Sequence, residues 1–177
     1  MNALALYQYT DKELKELLST LTVLIDTREQ ENHHILQYFE SKKISYKVKK
    51  NDTADYAAMI PRNPELGIAR DLFIPVAIER KNSVDELAAS IKDRTRFENE
   101  LIRSQKLNFT MVVEDPNGYE NIILGKFRSQ YDPKALLASL KTFEARYDFT
   151  TVFIPKIASG NYIYHHLYYQ ARCLLKG

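Results

Sequence analysis

Leu72-Phe73-Ile74-Pro75-Val76-Ala77-Ile78-Glu79-Arg80-Lys81 is an apolar run that breaks off in three charged residues. That is the pattern of a strand buried along most of its length and polar at its C-terminal end. Residues 61–70 lead into it as a loop, with Pro61, Pro64 and Gly67. Directly after it, Ser83-Val84-Asp85-Glu86 reads as a capping box opening a helix that carries Leu87, Ala88 and Ile91. The helical spacing continues, with room for a break, to about Lys106.

The same pattern recurs on both sides. Leu21 to Asp26 is a second apolar run ending in charge, Asp26-Thr27-Arg28-Glu29, and a helix with Ile35, Leu36 and Phe39 follows. Ile44, Tyr46 and Val48 alternate with Ser45, Lys47 and Lys49, the period of a half-buried strand. Asn51-Asp52 signals a turn before a strand over residues 55–60, and the short connections between Ile44 and Lys81 predict antiparallel pairing there. At the N-terminus, Thr10-Asp11-Lys12-Glu13 is another capping box, with Leu14, Leu17, Leu18 and Leu21 at helical spacing.

Downstream, Phe109 to Val113 predicts a strand closing on Glu114. Asp132-Pro133 starts a helix to about Tyr147 with proline at its first position, and Thr150 to Ile154 forms a last strand. A C-terminal helix from Ser159 or Asn161 places Ile163, Leu167, Ala171 and Leu174 on one face, with Cys173 as a small core residue. Strands alternating with helices predict an α/β fold with a central mixed sheet flanked by helices. We read residues 1–20 as a helical appendage and 21–177 as one domain.

A chain of 177 residues, 45% hydrophobic and 27% charged, suits a single globular domain, and a net charge of +2 is too small to signal nucleic acid in bulk. One cysteine excludes an intramolecular disulfide and any Cys-rich zinc site. The first nine residues do not read as a signal peptide, and no run reaches a membrane span, so a soluble cytoplasmic protein is expected (in the host cytoplasm if the chain is viral).

The charged strand ends carry the chemistry. Asp26, Arg28 and Glu29, then Asp55, then Glu79, Arg80 and Lys81 all sit where an open α/β sheet gathers its ligands, and Glu114 is a weaker fourth. An Asp, an acidic residue some twenty positions later and a Lys two residues beyond make the Asp…Glu-x-Lys pattern of many nucleases. Phosphodiester hydrolysis calls for a hard divalent cation, which carboxylates hold. The cation polarises the phosphate and acidifies the attacking water, and a lysine can orient that water. Side chains two apart on a strand share a face, so Glu79 and Lys81 can serve one site.

The string Ile78-Glu79-Arg80-Lys81-Asn82-Ser83-Val84-Asp85 resembles the signature of the XPF-type structure-specific nucleases, in which Glu-Arg-Lys is followed by an Asp. Asp26-Thr27-Arg28-Glu29, Asp55-Tyr56 and Arg96-Phe97 match further motifs of that family in the same order. The resemblance implies a restriction-endonuclease-like core, Mg²⁺ or Mn²⁺ as cofactor, and branched or flapped DNA as substrate. By that resemblance Asp55 and Glu79 hold metal and Lys81 assists the water. Asp26 and Glu29 complete the acidic cluster, Asp26 as a further metal ligand. Arg28, Arg80 and Arg96 meet phosphate or brace the carboxylates, with Arg80 counted as catalytic, and Asp85 sits nearby. Lys92 shares a face with Arg96 and Asp85 on a continuous helix, so it is a second candidate for DNA contact. Two departures stand out: Ala54 replaces the family's glycine before Asp-Tyr, and residues 61–70 look like an insertion. At this length no tandem helix-hairpin-helix module or helicase domain is expected.

Other readings stay open. A Holliday-junction resolvase or a less selective nuclease could use the same site, and a non-catalytic DNA-binding subunit is an alternative of another class. A protein-interaction subunit would use the Thr10 helix and the C-terminal helix to dock. A homodimer would give a second grip on DNA. Lys42, Lys43, Lys47, Lys49 and Lys50 suit either a DNA track or a soluble strand face. Tyr162, Tyr164, Tyr168 and Tyr169 suit base stacking, an interface or plain packing. His33-His34 and His165-His166 are adjacent pairs whose side chains diverge by about 100° on a helix, so they are read as surface or packing residues and not as chelators.

Overall fold

A computed structural model describes residues 7–177, so residues 1–6 of the expected appendage lie outside the described residues. The elements in order are α1 (Asp11–Ser19), β1 (Thr22–Ile25), α2 (His33–Ser41), β2 (Ser45–Val48), β3 (Tyr56–Ile60), β4 (Leu72–Lys81), α3 (Val84–Lys92), α4 (Arg94–Ser104), β5 (Asn108–Val113), α5 (Gly118–Ile123), α6 (Pro133–Tyr147), β6 (Thr150–Phe153) and α7 (Ser159–Lys176). Six strands form one mixed sheet in the order β2-β1-β3-β4-β5-β6, flanked by helices, which is the expected class. No described helix is long and apolar enough to cross a membrane.

The chain divides into two compact units. The first comprises the described residues up to Asn51 together with Tyr56–Val76 and Gly160–Gly177; the second comprises Asp52–Asp55 and Ala77–Ser159.

In the first unit, β1 is buried at every position and pairs parallel with β2 (Thr22 opposite Ser45) and antiparallel with β3 (Ile25 opposite Tyr56). The expected antiparallel arrangement from Ile44 onward is thus corrected at β2: β1 lies between β2 and β3, and α2 is the crossover that a parallel pair requires. β2 is also an edge strand and not half-buried, with Val48 59% exposed. Thr10 caps α1 in the full reciprocal box with Glu13, and Leu14, Leu17 and Leu18 are buried. Residues 61–70 hold a 3-10 turn, Pro64–Leu66, closed by Gly67 in the left-handed conformation at φ 79°. On α7 the buried series is Ile163, Leu167, Ala171 and Leu175, a strict four-residue step. Leu175 therefore takes the place expected of Leu174, and Cys173 is exposed instead of buried in the core. A Cβ on Gly160 would come within 2.7 Å of Tyr38 Cβ, so the first turn of α7 needs glycine to approach α2 this closely.

In the second unit, β5 pairs parallel with β6, Thr110 opposite Thr150. Between these strands lie α6 and a short helix, α5, that the periodicity did not predict. The core gathers Leu87 and Ile91 from α3, Phe97 and Leu101 from α4, and Leu140 and Phe143 from α6; the Phe97 and Phe143 rings meet edge to face at 5.2 Å. Ser83 caps α3 by accepting from Glu86 N–H. The expected box is only half made, because Glu86 Oε2 reaches one residue further back and accepts from Asn82 N–H at 2.6 Å. The helical stretch breaks at Asp93, so Lys92 and Arg96 lie on separate helices.

Candidate functional site

The first unit places Asp26 directly after β1, with a side chain only 1% exposed. Its Oδ1 accepts from the main-chain N–H of Arg28 at 2.9 Å and from Arg28 Nε at 2.7 Å, and its Oδ2 accepts from Asn51 N–H at 2.7 Å. Burial alone would raise the carboxyl's pKa. The Arg28 side chain and the two main-chain donors outweigh it and hold the group below its ordinary value. Asp26 thus fastens the Asn51 turn to the end of β1 while the Arg28 side chain stays 67% exposed. Glu29 closes the turn, its N–H donating to Asp26 O at 3.0 Å, and its side chain is partly buried.

The second unit brings together Asp55, Glu79, Arg80, Lys81 and Glu114. Ala54 adopts φ 61°, the left-handed turn that a glycine would take without strain, and Asp55 follows it. The departure at Ala54 thus changes the residue and keeps a glycine-like conformation. Asp55 N–H donates to Ile78 O at 3.1 Å, and Asp55 Oδ2 accepts from Arg80 N–H at 2.8 Å. The carboxylate is in this way held against the last turn of the β4 pleat.

Glu79 and Lys81 share one face of β4, as the two-residue period requires, and Lys81 Nζ donates to Glu79 Oε1 at 2.7 Å. Burial would lower the ammonium's pKa. The charge and hydrogen bond of Glu79, then the charges of Asp55 and Glu86, overcome this and raise it above the ordinary lysine value. Lys81 is therefore a charged group within the field of two motif carboxylates.

Arg80 is buried and ion-paired, its Nη1 3.2 Å from Glu114 Oε2. Glu114 had only its position at a strand end to mark it in the sequence, and its partner could not be read there. Asp85 accepts from Arg128 N–H at 2.7 Å through Oδ1, and its Oδ2 lies 3.7 Å from Arg128 Nε, so it ties down the segment after α5. Arg96 is 79% exposed and faces Glu100 at 3.7 Å, and Lys92 is exposed at the end of α3.

Among the described residues no group of three or more His, Cys, Asp or Glu side chains is gathered as a metal centre. His33 contacts Gln37 at 2.9 Å, and His166 stacks on Tyr162 with ring centroids 5.6 Å apart, in keeping with the packing and surface roles read for the histidine pairs. The donor chemistry of Asp55 and Glu79 fits a hard cation of the Mg²⁺ kind, which is commonly bound through one or two carboxylates with water and substrate phosphate completing its shell.

The sequence matches the ERCC4 domain over residues 25–166. Among solved structures the chain is similar to XPF from Aeropyrum pernix, with a TM-score of 0.61 and 18% identity over 86% of this chain and 66% of that one. It is similar also to XPF from Aeropyrum pernix in complex with DNA, with a TM-score of 0.58 and 18% identity over 84% of this chain and 63% of that one. The chain thus spans just under two thirds of the length of these structures, and identity at this level carries the fold alone. No curated protein matches the sequence.

Proposed function

The chain belongs to the ERCC4 domain family, and from that premise we propose that it is a metal-dependent DNA endonuclease acting on flap, fork or junction DNA. The observation that carries this reading is the second unit's grouping of Asp55, Glu79 and Lys81. One carboxylate is held by the main chain of β4, and the other is paired at 2.7 Å with an ammonium kept charged. The DNA bound to the similar Aeropyrum structure supports DNA as the substrate class.

In this reading Asp55 and Glu79 hold Mg²⁺ or Mn²⁺. A bound divalent cation supplies Lewis acidity toward the phosphate and makes hydroxide available at neutral pH. Lys81, as a cation, donates hydrogen bonds to the attacking water or to a non-bridging phosphate oxygen and offsets negative charge that grows in the transition state. Arg28, anchored through Nε and largely exposed, offers its guanidinium to a DNA phosphate. A homodimer would double the grip on DNA, and a monomer at high concentration in sedimentation would count against it.

The test is cleavage of labelled flap, fork, four-way-junction and plain duplex DNA with Mg²⁺ or Mn²⁺, beside Asp55→Ala and Glu79→Ala. Metal-dependent cutting, lost in both folded variants, is the expected result. Paired symmetric cuts across the four-way junction would move the reading to a resolvase. Binding without any cutting would make the chain a DNA-binding subunit.

A further inference from the structure

Arg80 lies between Glu79 and Lys81 on β4, so strand alternation sends its side chain to the opposite face. There its guanidinium meets Glu114 at 3.2 Å, the two side chains being 5% and 1% exposed. Glu114 also holds β4 through its main chain, its N–H donating to Lys81 O at 2.9 Å. One residue at the end of β5 thus grips two successive residues at the end of β4. The next link is main-chain again: Arg80 N–H donates to Asp55 Oδ2 at 2.8 Å.

We propose that Glu114 is a positioning residue for the nuclease site. By anchoring the Arg80 side chain behind the sheet, it fixes the direction of the Arg80 N–H that holds Asp55. It also fixes the alternation that points Glu79 and Lys81 to the same side. Arg80 then acts as a strut and not as a phosphate contact, since neither it nor Glu114 is open to solvent. Groups that orient metal-binding carboxylates from behind commonly change activity by about 10- to 100-fold when removed. This inference rests on the endonuclease reading above.

The test joins two measurements on the whole chain. In amide hydrogen exchange without metal or DNA, Glu114→Ala should speed exchange at Arg80 by at least about tenfold while Val23 and Leu24 on β1 keep their protection. In cleavage at saturating DNA, the same variant should turn over about 10- to 100-fold more slowly with unchanged DNA affinity. Glu114→Gln, which keeps an acceptor in place, should recover most of the rate. An Arg80→Met/Glu114→Leu double variant fills the space with apolar groups, a replacement that folded proteins tolerate, and should stay slow. Full protection of the Arg80 amide in Glu114→Ala, or wild-type turnover in the double variant, would overturn the proposal. Wild-type cutting by Asp55→Ala would instead sink the endonuclease site, and the exchange result would still decide what Glu114 does.

Discussion

Lys81 Nζ and Glu79 Oε1 lie 2.7 Å apart on side chains that are 9% and 15% exposed. An ammonium that is this close to a carboxylate and this poorly hydrated is held as a charge by its neighbours, and its chemistry follows from that.

Lys81 should act as a cation throughout the neutral and mildly alkaline range. Its folded pKa is raised above 10.5, so the stabilisation from its charge is complete below 10.5 and disappears as pH climbs through the folded value. Lys81→Met should slow cleavage by about 100-fold or more while DNA still binds. A wild-type rate that climbs tenfold per pH unit between about pH 8 and 10, and does so only while Lys81 is present, would show a neutral lysine acting as base.

Asp26 should matter to folding as well as to DNA. Asp26→Ala leaves the Arg28 and Asn51 N–H groups without their acceptor, a cost of about 1–3 kcal/mol. Burial works against the charged carboxyl, but its partners win and lower its pKa below 3.8. Its stabilisation is therefore present above 3.8 and lost as pH falls through the folded value. Urea melts between neutral and acid pH should show a shallower acid loss for Asp26→Asn than for the wild type.

Ala54 sits at φ 61°, where a Cβ costs about 1–2 kcal/mol. Ala54→Gly should hold or raise the melting temperature, although the methyl also packs on the core of the second unit. Ala54→Val, branched in the same conformation, should lower it clearly and reduce cleavage with it. Identical melting of all three proteins would mean the turn relaxes.

Arg96 is itself exposed and faces Glu100, a half-buried partner, at 3.7 Å, so Arg96→Ala should change stability by less than about 1 kcal/mol. As a phosphate contact it should weaken binding to every DNA alike and reduce the log-log salt slope by about one. An unchanged slope would leave it as a solvated helix residue.

The strands that carry the site were legible because each is an apolar run ending in charge: β4 spans Leu72–Lys81 as read, and the Asp55, Glu79 and Lys81 motif falls on its end and on the turn before β3. What the sequence hid is information held by neighbours. Nothing within Ile44 to Val48 says that its partner is β1 on a parallel course, because the two-residue period specifies faces and not partners. Leu174 and Leu175 are both apolar, and only the register of α7 chooses between them. Glu114 looks like any charged strand end until Arg80 arrives from the next strand. The short helix α5, six residues long, offers too few turns for a periodic signal.

The chain passes from one compact unit to the other at 51/52, 55/56, 76/77 and 159/160, and the third passage lies inside β4. Asp55 and Glu79 therefore reach the second unit on different excursions of the polypeptide. Any contiguous fragment that carries Asp55 together with Glu79 and Lys81 also carries Tyr56–Val76, and β3 with it, out of the first unit. Exchange of such a fragment would take from the first unit the strand that pairs antiparallel with β1. A graft of the second unit alone would have to be built from two separated peptides, Asp52–Asp55 and Ala77–Ser159.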